Sequence, residues 1–263
     1  MQNYFGNKWI RAKSVSHQAD IKAIVILVHG LNNQAKLMYP FAEEIAAKGY
    51  DVYIPVLDGH ASDYNKFKSI DKDDWLCNIK AAYEIAATEA LNKNCRLYYV
   101  GFSLGGLLGT VAKAEDYIPD VERMILLAPA LEMTFFSSLM RPLLYFNLKF
   151  AIPSKAPGSY RAHPFLPIKA YRTLFELKDQ LNENISKKIN IPSLVFIDKK
   201  DELVSFKKLL NFISKNRLGN WEVKLLTCKK KKGIHHMIAD PYYAGEQNWQ
   251  LIVNETLQFF NAS

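Results

Sequence analysis

RLYYVGFSLGG, running from Arg96 to Gly106, is the stretch that decides the fold. Its first half is an apolar and aromatic run of the kind that forms a buried strand, and its second half is the glycine-rich start of a helix. Between them, Gly101-Phe102-Ser103-Leu104-Gly105 matches the pattern G-x-S-x-G. A strand that passes directly into a helix must bend sharply, which forces the central residue into strained backbone angles. The flanking glycines fit because a Cβ would clash in so tight a bend. The Ser103 hydroxyl is then lifted clear of the backbone, in front of a helix N-terminus. That helix end favours the negative charge that forms when a carbonyl is attacked. A serine in a packing turn could share the glycines, but the strand-turn-helix context favours a nucleophile.

Outward from this stretch the chain alternates strands and helices. Ile24 to Gly30, Asp51 to Val56, Arg123 to Pro129, Ser193 to Asp198 and Glu222 to Thr227 read as further strands. Ile24 to Gly30 is a continuous apolar run, the mark of a strand covered on both faces. Helices are expected from Met38 to Lys48, from Asp71 to Leu91 with Asp71 as N-cap, and from Asn248 to Phe260. This alternation predicts a single α/β domain over residues 1–263, a mostly parallel sheet with helices on both faces. Leu131 to Ile189 breaks the rhythm and contains Pro142, Pro153, Pro157, Pro164 and Pro167. It reads as a cap inserted over the carboxyl edge of the sheet. Phe135, Phe136, Leu139 and Leu143 recur there at helical spacing, suited either to packing on the core or to lining an acyl pocket.

A serine nucleophile needs two oxyanion donors, a base and an acid. The N–H of Leu104, next to Ser103, is one donor. The N–H of Leu31 is the other, on the loop after His29-Gly30, where glycine permits close approach. The acid must come from the loop after the strand ending at Asp198, which offers Asp198, Asp201 and Glu202. Of the histidines only His235 and His236 follow the last strand, where the chain order Ser, Asp, His expects the base. Adjacent side chains on a loop point in different directions, so one of the two can reach Ser103. His60 precedes the nucleophile and reads as a hydrogen-bonded loop residue.

Composition narrows the setting. The net charge is +8, but the lysines are spread along the chain, which argues against a nucleic-acid surface. The one dense run, Lys229 to Lys232, is most simply a solvated loop. It is also compatible with an anionic acyl carrier or an anionic membrane surface touched peripherally. Three cysteines without close spacing describe neither a disulfide framework nor a zinc site. With no secretory signal pattern and no long apolar run, a cytoplasmic protein is expected.

Several of these residues together resemble a known family. They are His29-Gly30-Leu31, Pro55-x-x-x-Gly59-His60, Asp74-Trp75, the Ser103 motif, Pro192-Ser193-Leu194-Val195 leading to Asp201-x-x-Val204, and His235 with Asp240 five residues on. The set is similar to the bacterial carboxylesterase, monoacylglycerol lipase and lysophospholipase group of α/β-hydrolases. The likeness runs over nearly the whole chain and is weakest between Leu131 and Ile189. It implies Asp201 as the acid, from its spacing after the Pro-x-Leu-Val strand. It implies His235 as the base, from the acidic residue five positions later. It also implies Leu31 and Leu104 as the oxyanion donors. The chain departs from the family pattern at Ala61 and Asp198, where that group often carries glycine. The expected activity is hydrolysis of carboxylic esters with an apolar acyl group, with no metal or organic cofactor. An acyl thioesterase using the same residues is the nearest alternative, and a non-catalytic binding protein on a hydrolase fold is a remoter one.

Overall fold

Strand burial follows directly from the apolar runs. The computed structural model describes residues 6–13, 21–61, 63–134, 150–154, 156–227 and 234–262. Among these, one sheet holds β1 (Lys8–Ile10), β2 (Ala23–Val28), β3 (Tyr50–Ile54), β4 (Arg96–Phe102), β5 (Arg123–Leu127), β8 (Ser193–Asp198) and β9 (Trp221–Leu226), and a separate ribbon pairs β6 (Ala151–Pro153) with β7 (Phe165–Pro167). The sheet order is β1-β3-β2-β4-β5-β8-β9. Every neighbour is parallel except the edge strand β1, which runs antiparallel to β3. Side chains alternate between faces with period two. Thus Ile24, Ile26 and Val28 enter one core cluster, while Ala23, Val25 and Leu27 enter the other.

The helices are α1 (Tyr39–Ala46), α2 (Tyr64–Ser69), α3 (Lys72–Asn92), α4 (Leu104–Ala114), α5 (Ile168–Glu183), α6 (Phe206–Lys215), α7 (Pro241–Ala244) and α8 (Glu246–Asn261). Trp75 of α3, Leu107 of α4, Leu174 of α5 and Leu209 of α6 fill the first cluster. Phe41 of α1 and Trp249 of α8 fill the second, ring against ring with centroids 5.9 Å apart. Each such side chain, fully buried, contributes roughly 1.5–3 kcal/mol. Asp71 caps α3 in a reciprocal box: its carboxylate accepts the Asp74 N–H at 3.0 Å, and the Asp74 carboxylate accepts the Asp71 N–H at 3.0 Å.

The doubly covered, mostly parallel sheet is the one the alternating pattern predicts. The segment Leu131 to Ile189 is more varied than its prolines suggest. Residues 135–149, which include Phe135, Phe136, Leu139 and Leu143, lie outside the described residues, as do Lys229 to Lys232. α5 packs against α4 and α3 and places Leu174, Phe175, Leu177 and Leu181 in the first core cluster. That helix is therefore part of the main core. No helix among the described residues is long and apolar enough to cross a membrane.

Candidate active site

The sheet brings the carboxyl ends of β2, β4, β5, β8 and β9 to one edge, where the strand order reverses between β2 and β4. Ser103 sits at the tip of β4 with φ 51° and ψ −109°. A non-glycine residue in that region costs of order 1–3 kcal/mol, so the surroundings must hold it there. They do so through the backbone: the Ser103 N–H donates to Leu127 O at 2.9 Å, and Ser103 O accepts from Ala130 and Leu107 N–H at 3.0 and 3.1 Å. Space is equally tight. A Cβ on Gly101 would lie 2.5 Å from the Gly105 carbonyl, and one on Gly105 would lie 2.4 Å from Val28 O. The sharp bend read from the sequence is present, and Ser103 opens α4.

The two late histidines take different partners. His236 Nδ1 lies 2.8 Å from Asp201 Oδ2, and its Nε2 lies 2.8 Å from Ser103 Oγ. His235, the base implied by spacing, does not reach Ser103; its Nδ1 faces Asp198 Oδ2 at 3.3 Å. The histidine that the structure brings against Ser103 is therefore His236, one residue on from His235. Asp201, the acid implied by the resemblance, is joined to the serine through His236. Its other oxygen accepts the N–H groups of Leu203 and Val204, each at 2.8 Å. With Nδ1 turned to the Asp201 carboxylate, Nε2 is the ring nitrogen that faces the Ser103 hydroxyl.

One contributor went unrecognised as a clamp. Glu202 appeared in the sequence only as a possible acid. Its Oε1 accepts the His235 N–H at 2.8 Å and its Oε2 accepts the His236 N–H at 3.0 Å. One carboxylate thus ties the acid loop to the base loop. The acid loop is itself held by the entry to the insertion: Ser205 N–H donates to Glu132 O at 2.7 Å, and Thr134 N–H donates to Leu203 O at 2.8 Å. Packing adds to this, since the Phe102 ring lies 5.3 Å from the His236 ring, centroid to centroid.

Leu31 and Leu104 stand at the ends of β2 and β4. Neither N–H has a protein acceptor among the described residues. The loop carrying Leu31 rests on buried histidines. His29 Nδ1 donates to Gly30 O at 3.0 Å, and its Nε2 accepts the Leu57 N–H at 3.2 Å. His60 Nδ1 donates to Asp58 O at 3.2 Å, and its Nε2 accepts the Asn32 N–H at 2.9 Å. Each ring must stay neutral to accept on Nε2. Burial acts in the same direction, lowering His29 to about 4 and His60 well below its ordinary value.

Residues 19–241 match the family described as "Serine aminopeptidase, S33". The chain belongs to this family of α/β-hydrolases. It is accordingly a serine hydrolase. The thermostable monoacylglycerol lipase of Bacillus sp. (strain H-257) is 28% identical over 189 residues, which cover 68% of this chain and 71% of that protein. Among solved structures, a soluble variant of the Saccharomyces cerevisiae monoglyceride lipase superposes with a TM-score of 0.80 at 13% identity, over 97% of this chain and 90% of that one. The Paleococcus ferrophilus monoacylglycerol lipase superposes with a TM-score of 0.70 at 16% identity, over 96% and 98% of the two chains. At such identities the superpositions speak for the hydrolase fold. No group of three or more His, Cys, Asp or Glu side chains suited to a metal occurs among the described residues of this hydrolase.

Proposed function

We propose that this hydrolase cleaves carboxylic esters with an apolar acyl group, of the monoacylglycerol or lysophospholipid kind, with Ser103, His236 and Asp201 as its triad. The observation that carries the proposal is the unbroken hydrogen-bonded line from Asp201 through His236 to Ser103, 2.8 Å at each step. Ser103 Oγ attacks the ester carbonyl as His236 Nε2 takes its proton. Leu31 and Leu104 N–H groups hold the oxyanion. The tetrahedral intermediate collapses to an acyl-serine as His236 protonates the departing alcohol. Water, deprotonated by His236, then releases the acid and restores Ser103. The monoacylglycerol part of this reading is supported by the Bacillus relative, which is named a monoacylglycerol lipase.

The test is labelling with a fluorophosphonate probe, followed by a panel of p-nitrophenyl esters from acetate to palmitate, a monoacylglycerol, an acyl-CoA and an aminoacyl-arylamide. Wild type should be labelled and Ser103→Ala should not. Esters should be turned over fastest. Preference for the acyl-CoA would replace the ester proposal with a thioesterase, and preference for the arylamide would replace it with an aminopeptidase. A folded protein that takes no label would refute the triad.

A further inference from the structure

Asn32 follows the proposed oxyanion donor Leu31 directly, and its bonding is unusually complete. It is a buried residue with φ 54°, a left-handed conformation that asparagine tolerates better than most side chains. Its amide faces the main chain of His163, more than a hundred residues away. Nδ2 donates to His163 O at 3.0 Å, and Oδ1 accepts the His163 N–H at 3.0 Å. Its own carbonyl accepts the Ala162 N–H at 2.8 Å, and its N–H goes to His60 Nε2.

The contact continues along both segments. Gln34 N–H donates to Tyr160 O at 2.7 Å, Gln34 Nε2 donates to Arg161 O at 2.8 Å, and Asn33 forms an antiparallel bridge with Arg161. The strap Tyr160–His163, which belongs to the insertion, is thus laid strand-like on the loop that bears Leu31. The circuit also closes on itself. His163 Nε2 donates to Gly59 O at 2.7 Å, and Gly59 precedes the His60 that accepts from Asn32.

We propose that Asn32 is a positioning residue through which the strap Tyr160–His163 aims the Leu31 N–H at the developing oxyanion. This rests on the ester-hydrolase proposal above. The peptide between Leu31 and Asn32 is pinned on its Asn32 side by His60, and Asn32 itself is pinned by the strap. The Leu31 N–H, one peptide upstream, has no protein acceptor among the described residues and inherits its direction from that anchor. Oxyanion donors act only when they lie about 2.7–3.1 Å from where the charge forms, so a small swing of the loop removes transition-state stabilisation without removing the substrate site.

Asn32→Gly keeps access to the left-handed backbone and deletes both side-chain bonds to His163. Asn32→Asp keeps the Oδ1 acceptor and loses the Nδ2 donor, and it serves if the glycine variant does not fold. Active sites are counted by fluorophosphonate titration. Then kcat and KM for a p-nitrophenyl ester are measured per titrated site, together with Ki for an alkylboronic acid, which forms a tetrahedral adduct on the serine. The expected result is a fall in kcat of about 10- to 100-fold, below the roughly 10²–10³-fold seen when an oxyanion donor is deleted outright. The boronate Ki should weaken by the same factor, with KM within about threefold of wild type. A variant with wild-type kcat and Ki per titrated site, or a loss confined to the number of sites or to KM, overturns the role of Asn32 while leaving the triad standing. Wild type that takes no fluorophosphonate label overturns the hydrolase proposal and this one with it.

Discussion

Replacing Asp201 with asparagine asks the site a question whose answer is set by hydrogen-bond polarity. Asp201 Oδ1 accepts two N–H groups, from Leu203 and Val204, each at 2.8 Å. An asparagine amide cannot turn its NH₂ toward them, because two buried donors would lose their acceptor at about 1–3 kcal/mol each. The oxygen therefore stays where Oδ1 was, and the NH₂ takes the place of Oδ2, facing His236 Nδ1. That nitrogen must then be the bare acceptor, so the proton moves to Nε2, which faces Ser103 Oγ. An Nε2 that already carries hydrogen cannot take the serine proton. In Ser-His-Asp sites this wrong tautomer costs roughly 10⁴-fold in kcat, or about 5.5 kcal/mol of barrier. The assay is steady-state hydrolysis of a p-nitrophenyl ester, with the urea midpoint measured alongside. Asp201→Asn should lose about four orders of magnitude in kcat with KM and midpoint little changed. Asp198→Asn, which changes the carboxylate facing His235 and leaves Asp201 in place, should stay within about tenfold of wild type. Asp201→Asn retaining a tenth of the activity, or Asp198→Asn suffering the larger loss, would refute the reasoning.

The two histidines should separate as sharply. His236→Gln should lower kcat by at least roughly 10³-fold and His235→Gln by less than about threefold, and the reverse order would return the base to His235. Gly105→Ala places a Cβ 2.4 Å from Val28 O, backbone against backbone, where neither side can yield as a side chain would. It should lower the stability measured by urea unfolding by roughly 3 kcal/mol or leave the protein insoluble, and a wild-type midpoint would contradict the packing described. Acid should destabilise the fold through His29. Burial lowers it from 6.5 to about 4, so between those values the unfolded chain binds a proton that the folded chain refuses. Its contribution is full above pH 6.5 and is lost as pH falls toward 4, by about 3 kcal/mol. Urea midpoints measured from pH 7.5 to 4.5 should fall less steeply in His29→Gln, which keeps an acceptor for Leu57, and equal slopes would refute the assignment.

The fold was legible wherever a rule of period or chain geometry acts locally. β8 falls on the residues its apolar run marks, and Asp71 caps α3 as its position implies. The strand-to-helix bend at Ser103 needed only the Gly101 and Gly105 spacing. β1 was not legible, because a three-residue edge strand is too short to carry a period. α5 was hidden differently. Its stripe of Leu174, Leu177 and Leu181 is ordinary helical periodicity, but it lies in a proline-rich stretch that reads as a break. Only the partner helices α3 and α4 reveal that the stripe faces the core.

Of the side chains that the structure joins in a line at Ser103, the sequence pointed to Asp201 but to the histidine next to the one present, and that residue exposes the limit of counting along a chain. The spacing rule picked His235 because Asp240 follows five positions later. Asp240 does not touch either histidine ring through any hydrogen bond described; it caps α7, accepting the Tyr243 N–H at 3.1 Å. In this chain Asp240 marks a helix start downstream of the two histidines, so it fixes their neighbourhood and leaves the register to other forces. Those forces are three-dimensional. Asp198 is a second carboxylate beside the acid loop, and it takes His235. Glu202 grips the N–H of both histidines and so holds their order relative to the acid loop. With that register set, His236 alone has Asp201 on one side of its ring and Ser103 on the other.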